Sequence, residues 1–458
     1  MLDFGNLKVE FNKKDSRNDK NKLYVFVEKN NLKRFIVRRK IDKEEIEKNK
    51  AIIIAPYKGY KELIVIPFEK KKINPYLLSK IVPKITENST VDLRQLKDLQ
   101  ELAIEFILNK SYSFNKYKSE KKEIRINFLT SKKSLDELIN KMDSLSKIRE
   151  LINEPSNVLT PEEFVKRAKE LLKGLPVEIE VFNKEKLKKE NFNLLLAVAK
   201  GSKNDPYLLV VKYLPKKDEK AIALVGKGVC FDTGGYYVKP SPYMNEMYMD
   251  MSGAAVVLGV IMALAKNKIE KNVIAVIPLV ENSIDGNAYK PSDIIKSRSG
   301  KSVEIEHTDA EGRLILADAI DYALEFDPKE VITVATLTGA AIIALGEEVA
   351  AVMSNDEKST EKLKKIGLEI EERVWPLPLW DLYKELIESE RADIKNLNKG
   401  REAGTIIGGI FLKEFAKDKK FIHLDIAGPA MPSKERRYLT NGSGFGLRLL
   451  YEYIKRHK

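Results

Sequence analysis

AIALVG, residues 221–226, is an unbroken apolar run that ends on a glycine. NVIAVIPLV (272–280), EVITVAT (330–336) and FIHLD (421–425) repeat the pattern downstream. Apolar residues at helical spacing fill 253–266, 313–325, 404–416 and 443–456. Strands with no polar alternation have both faces covered, and helices between parallel strands supply that cover. The expectation is therefore an α/β fold: a mixed, mostly parallel sheet with helices on both faces. YLLVVKY (207–213) and LLLAVA (194–199) read as two further strands. Ligands of such sheets bind beyond the carboxyl ends of the strands. Polar stretches follow residues 226, 336 and 425, where that chemistry is expected.

Upstream, LYVFV (23–27) and LIVI (63–66) are short apolar strands among charged residues, and 93–108 has a helical pattern. A smaller α/β domain over 1–133 is expected, then a connecting helix over 134–153 and the main domain over 154–458. In SNVLTPEEFVKRAKELLKG, Thr160 is a candidate N-cap, Pro161 fits the first helical position, Glu163 completes a capping box and Gly174 ends the helix.

The chain has 458 residues, 43% of them hydrophobic and 33% charged, which is ordinary for a globular protein. The single cysteine, Cys230, leaves no internal disulfide to form and fits a reducing compartment. MLDFGNLKVE has no basic segment leading into an apolar one, so a cytoplasmic location is expected. AAVVLGVIMALA (254–265) is short for a membrane span and reads as a buried helix. Residues 1–150 hold 35 Lys and Arg against 22 Asp and Glu, a balance of +13, while the remainder holds 46 of each. Either a nucleic-acid-binding surface or a solvated lysine-rich one accounts for that asymmetry.

Several chemistries are excluded. The histidines number three, His307, His423 and His457, and neither HExxH nor CxxC occurs, which argues against a His- or Cys-based zinc site. No GxSxG elbow is present. Gly300-Lys301-Ser302 lacks the earlier glycine of a phosphate loop, since Ile295 stands there; Gly226-Lys227-Gly228 lacks the third dinucleotide glycine, since Phe231 stands there.

Two segments remain. VGKGVCFDTGGYYVKPSPYMNEMYMDMSGAA (225–255) carries Lys227, Asp232, Lys239 and Asp250 among glycines, and HTDAEGR (307–313) carries Asp309, Glu311 and Arg313. Four carboxylates in one cleft repel unless they take up protons or bind cations. Hard oxygen donors suit Zn²⁺, Mn²⁺, Mg²⁺ or Co²⁺, and a pair of such ions polarises a carbonyl and a water. Asp309 and Glu311, two apart, would point the same way along an extended segment. The competing reading makes them only the acidic first turn of the next helix.

These residues closely resemble the leucyl aminopeptidase family, the M17 exopeptidases, whose signatures read NTDAEGR and VGKGxxFDSGG followed by a lysine. LINEPSNVLTP (151–161), ATLTGA (335–340), ADIKNLNKGREAG (392–404) and HLDIAG (423–428) extend the likeness over roughly 145–458. The resemblance implies that Lys227, Asp232, Asp250 and Glu311 hold a tighter metal, and Asp232, Asp309 and Glu311 an exchangeable one. Lys239 would stabilise the oxyanion, and Arg313 would hold a bicarbonate acting as general base. Met247, Thr336, Gly339 and Ala427 would line the pocket for the first side chain, with Leu337 contacting the peptide backbone. The substrate's free amine would bind a metal, so one residue at a time would leave the N-terminus, with leucine or another apolar residue preferred. A homohexamer is also implied. The alternative is a DNA-binding architectural or regulatory protein on the same fold, a second role that some family members have. The sequence departs from the pattern at His307, where the family has asparagine, at Thr233 for serine, and at Tyr248, where a basic residue is common.

Overall fold

The computed structural model describes residues 2–13, 21–38, 52–54, 58, 60–400, 402–430, 432 and 442–457. It forms two compact units, one up to Ser146 and one from Lys147 onward. The helix Asp136–Ile152 runs through that boundary.

The first unit is built on strands β1 (Leu2–Phe4), β2 (Leu7–Asn12), β3 (Lys22–Glu28), β4 (Ile52–Ile54), β5 (Glu62–Phe68), β6 (Ser89–Asp92) and β7 (Ile124–Leu129). They form one sheet in the order β1-β2-β7-β6-β3-β5-β4, antiparallel only at its two ends. The helical pattern read over 93–108 is a 3₁₀ segment, Arg94–Leu99, followed by the helix Gln100–Ser111. Lys97, with φ 51° and ψ −114°, kinks the 3₁₀ segment itself.

In the second unit the strands are β8 (Glu178–Phe182), β9 (Tyr207–Tyr213), β10 (Ile222–Gly226), β11 (Gly228–Asp232), β12 (Val273–Asn282), β13 (Ile294–Lys296), β14 (Ser302–Glu304), β15 (Glu330–Ala335), β16 (Ala350–Ser354), β17 (Val374–Pro376), β18 (Ile394–Lys395) and β19 (Lys420–Asp425). The main sheet runs β17-β16-β19-β15-β10-β12-β9-β8, with β11 also on β12. Its centre, β19-β15-β10-β12, is parallel, and the antiparallel pairs lie outward of it. β13, β14 and β18 form a small separate sheet. AIALVG is the central strand, and every residue of β10, β12 and β15 is buried. The helix Ser252–Lys266 packs on β10, β12 and β15, and Glu311–Ala323 and Gly404–Ala416 lie in the core cluster of the other face. The mixed, mostly parallel sheet covered on both sides is thus as expected. The stretch Met247–Lys266 is long and apolar enough to cross a bilayer, yet 89% of its most apolar window is buried within the fold.

One strand assignment is corrected. LLLAVA lies in the helix Asn193–Ala199. A short apolar run cannot be told from a buried helix by periodicity. A distant residue decides it: Asp318 accepts the amide hydrogens of Leu194 and Leu195 at 2.9 and 3.2 Å, capping a helix whose own N-cap residue, Phe192, has no side-chain acceptor. Nearby, Thr160 does cap the helix Pro161–Leu172 by accepting from the Glu163 amide. The Glu163 carboxylate, however, accepts from Arg167 Nε at 2.7 Å.

Candidate metal centre

A cleft of about 430 Å³ opens where β10, β11, β15 and β19 end. Of the residues predicted for the site, Lys227, Asp232, Lys239, Met247, Asp250 and Asp309 line it. So do Arg313, Thr336, Leu337, Gly339 and Ala427. Glu311 alone stands behind the lining, 1% exposed, in contact with Lys227.

Lys227 directly follows β10 and is buried. Its ammonium lies 2.8 Å from Asp250 Oδ2 and 2.8 Å from Glu311 Oε1, and it donates to the Thr336 carbonyl at 3.1 Å. Thr336 in turn donates its hydroxyl to Asp250 Oδ1 at 2.7 Å. Lys239 bridges the other two acids, 2.9 Å from Asp232 Oδ2 and 2.5 Å from Asp309 Oδ1. The carboxylate oxygens of Asp232, Asp309 and Glu311 include one from each residue that all lie within 4.8 Å of one another.

The expected geometry of HTDAEGR needs correction. Asp309 is in a turn and Glu311 is the first residue of the helix Glu311–Ala323, so no extended segment aims them. The reading of Glu311 as a first-turn acid is thus correct as to position, but its carboxylate faces Lys227. Convergence comes from partners far away in sequence. Thr308 donates its hydroxyl to the Gly234 carbonyl at 2.7 Å and accepts the Tyr237 amide at 2.9 Å. Asn282 donates to both Asp232 Oδ1 (2.8 Å) and the Thr308 carbonyl (3.1 Å), and the Tyr289 hydroxyl donates to that same carbonyl at 2.6 Å. Asn396 accepts the amides of Glu306 and His307 and donates to the carbonyls of His307 and Ala310. Gly234 makes the turn possible: its φ is +88°, and a Cβ there would meet the Tyr237 carbonyl at 2.3 Å.

Asn282, Tyr289, Asn396 and Asp425 are the positioning residues that the sequence reading did not single out. Asp425 is buried, accepts the amides of Leu337 and Ala427 and takes the Thr338 hydroxyl at 2.6 Å, which fixes the turn after β15. Its sequence signals were its place at a strand end and within HLDIAG.

The electrostatics follow from burial. Desolvation, reinforced by Glu311 and Asp232 and opposed by Lys227, pushes the Asp250 carboxyl up to about 7. Desolvation and the neighbouring Asp232 push Asp309 up to about 8, against Lys239. Burial disfavours both ammonium groups, but the surrounding carboxylates outweigh it and hold Lys227 and Lys239 above the usual lysine range. Four acids therefore exceed what two lysines neutralise. Asp250 Oδ2, Asp309 Oδ1 and Glu311 Oε1 are buried oxygens that meet only the two lysine ammonium groups among the described residues. A buried, anionic, all-oxygen donor set with one adjacent amine fits divalent cations.

Arg313 is buried, and desolvation lowers its guanidinium to about 10 although Glu311 and Asp425 oppose the shift. It donates to the Asn396 carbonyl at 2.7 Å, while its buried Nε has no partner among the described residues. A buried donor of this kind suits a small anion. His307, the departure from the family signature, stacks on Tyr237 at 3.9 Å and accepts the Asp309 amide on Nδ1. Burial, then the charges of Arg313 and Lys239, lower its pKa.

Residues 146–451 match a family model described as the cytosol aminopeptidase family, catalytic domain. A protein named probable cytosol aminopeptidase from Clostridium perfringens is 42% identical over 384 residues, covering 80% of this chain and 78% of that one. The solved structure of a cytosol aminopeptidase from Coxiella burnetii superposes with a TM-score of 0.86 at 25% identity, covering 99% of each chain. That of the bottromycin maturation enzyme BotP in complex with Mn gives 0.83 at 25% identity, over 95% of this chain and 99% of that one.

Proposed function

The chain belongs to the cytosol aminopeptidase family, a family of peptidase hydrolases, and on that premise we propose that it is a two-metal enzyme releasing N-terminal residues, preferentially apolar ones, from peptides. The observation that carries the reading is the meeting of Asp232, Asp309 and Glu311 within 4.8 Å beside the buried Lys227 and the part-buried Lys239 in one cleft. Lys227, Asp232, Asp250 and Glu311 would hold one ion, and Asp232, Asp309 and Glu311 the other, Zn²⁺ or Mn²⁺ being the leading candidates. Bound there, such ions supply Lewis-acid polarisation and a nucleophilic water at neutral pH.

The residues of the chain do the rest. Lys239 reaches the cleft from the acid pair Asp232 and Asp309 and would donate to the oxygen on which charge develops. Arg313, with its unpartnered Nε, would hold a bicarbonate that accepts the proton of the attacking water. Met247, Thr336, Gly339 and Ala427 would accept the first side chain, and Leu337 would contact the peptide backbone. No atom lies within 4 Å of where a Cβ on Gly339 would stand, so that wall is open to a substrate side chain. An apolar wall without a buried counter-charge favours an apolar residue. The division into an N-terminal domain (1–133), connecting helix (134–153) and catalytic domain (154–458), a homohexameric assembly and a cytoplasmic location belong to the same reading.

The test is hydrolysis of a panel of aminoacyl amides by protein stripped with a chelator and reloaded with Zn²⁺, Mn²⁺ or Co²⁺. Turnover should vanish on stripping, return with an ion and be fastest for apolar residues. Full turnover in the stripped protein would refute the metal reading.

A further inference from the structure

At the amino ends of β15 and β19, away from the metal centre, lies a second cleft of about 720 Å³, within the size range of small-molecule sites. Lys358, Lys362, Lys420, Arg456 and His457 line it. Under them lies a buried carboxylate. Glu330 is 1% exposed and contacts Lys420 Nζ at 3.1 Å, His457 Nε2 at 3.2 Å and the Tyr453 hydroxyl at 3.2 Å. Burial resists its charge, but His457 and Lys420 hold the carboxyl below its usual range. Glu330 thus anchors Lys420 and His457 at the cleft wall. Asp356 is also engaged, capping Ser359 and pairing with Lys420 at 3.1 Å. Arg456 is satisfied by Glu369 and Glu452.

Two lysines of the lining are left over, and so is Lys329, which does not line the cleft. Lys362 donates only to the Tyr453 and Arg456 carbonyls, at 3.4 and 3.0 Å. Lys329 meets His457 Nδ1 at 3.3 Å, and Lys358 is exposed. Among the described residues none of the three has a carboxylate partner. Burial, followed by repulsion from Lys420, Arg456 and Lys271 and opposed by Glu330, lowers Lys362. Burial and Lys271 lower Lys329 as well, Glu330 and Glu219 opposing. Like charges crowd here, only partly offset by Glu330, and a bound anion would relieve them. The positive end of the helix Glu357–Ile370 adds to the field, since Asp356, Lys358 and Ser359 of its first turn line the same cleft.

We propose that this cleft binds a small phosphate ester. Lys358 and Lys362 on the lining suit a doubly charged oxyanion, and the volume leaves room for the organic part. Asp418 on the lining and Asp356 beside it disfavour an extended polyanion.

The probe is glycerol phosphate, with glycerol as control, in buffers of matched ionic strength and with the metal-loaded protein. Calorimetric titration should show saturable binding of the phosphate ester and none of glycerol. The double variant Lys358→Ala, Lys362→Met should bind roughly tenfold more weakly or worse. Because Lys362 caps a helix end, Lys358→Ala alone serves as the variant that keeps every hydrogen bond, and it should bind severalfold more weakly. Peptide hydrolysis is followed in parallel, since an anion held on the metal centre would inhibit it and would survive both variants. No saturable binding, or binding unchanged in Lys358→Ala, overturns the proposal.

Discussion

Gly312 stands directly against Lys227: a Cβ on Gly312 would lie 2.7 Å from Lys227 Cε and 2.8 Å from its Nζ. The lysine cannot yield freely, because two carboxylates and the Thr336 carbonyl hold its ammonium. Helix propensity alone would favour alanine at this helical position by about 1 kcal/mol. The overlap reverses that sign, so Gly312→Ala should lower turnover at least tenfold and reduce bound metal, read by elemental analysis. Gly286→Ala, where no atom lies within 4 Å, is the neutral control. Normal metal content and rate in Gly312→Ala would remove Lys227 from the centre.

Lys239→Ala separates catalysis from metal retention. The lysine touches Asp232 and Asp309, so its loss removes a donor to the developing oxyanion without removing a carboxylate. Turnover should fall by a factor of about 10²–10³ while both ions stay bound. Unchanged turnover would refute its role.

Asn282→Ala should weaken metal binding by roughly 10–100-fold. Asn282 orients Asp232 and ties the HTDAEGR turn to β12, although it need not touch an ion itself. A metal titration with a competing chelator measures the change. An affinity equal to that of the unsubstituted protein would show that the turn holds Asp232 without it.

His423 predicts an acid sensitivity unrelated to the site acids. It is fully buried, shares a 2.7 Å hydrogen bond between Nδ1 and Thr333, and burial together with the charge of Arg313 lowers its pKa to about 3. The unfolded chain takes up this proton near pH 6.5 and the folded chain near 3, so stability falls as pH drops through that window. Between pH 6.5 and 5 this one group should cost about 2 kcal/mol. Urea unfolding at both values should show the loss in the unsubstituted protein and a smaller one in His423→Gln. An equal pH dependence of the two proteins would locate the titration elsewhere.

The sequence by itself determined the layered α/β architecture. Runs such as AIALVG are apolar on both faces, and only a sheet covered on both sides buries them. It also determined the chemical inventory of the site, because the acids and lysines of two short motifs have few uses together other than to bind cations. What only the tertiary structure decided is how those groups meet. Asp309 lies in a turn and Glu311 opens a helix, and they converge because Asn282, Asn396 and Tyr289 fasten the segment from other strands and loops. The same holds for Leu194–Ala199, whose composition allows a strand but whose first two amides are claimed by Asp318, more than a hundred residues away. Local propensity is weak beside a buried hydrogen bond that would otherwise go unmade, and such bonds are formed by contacts that no short stretch of sequence contains.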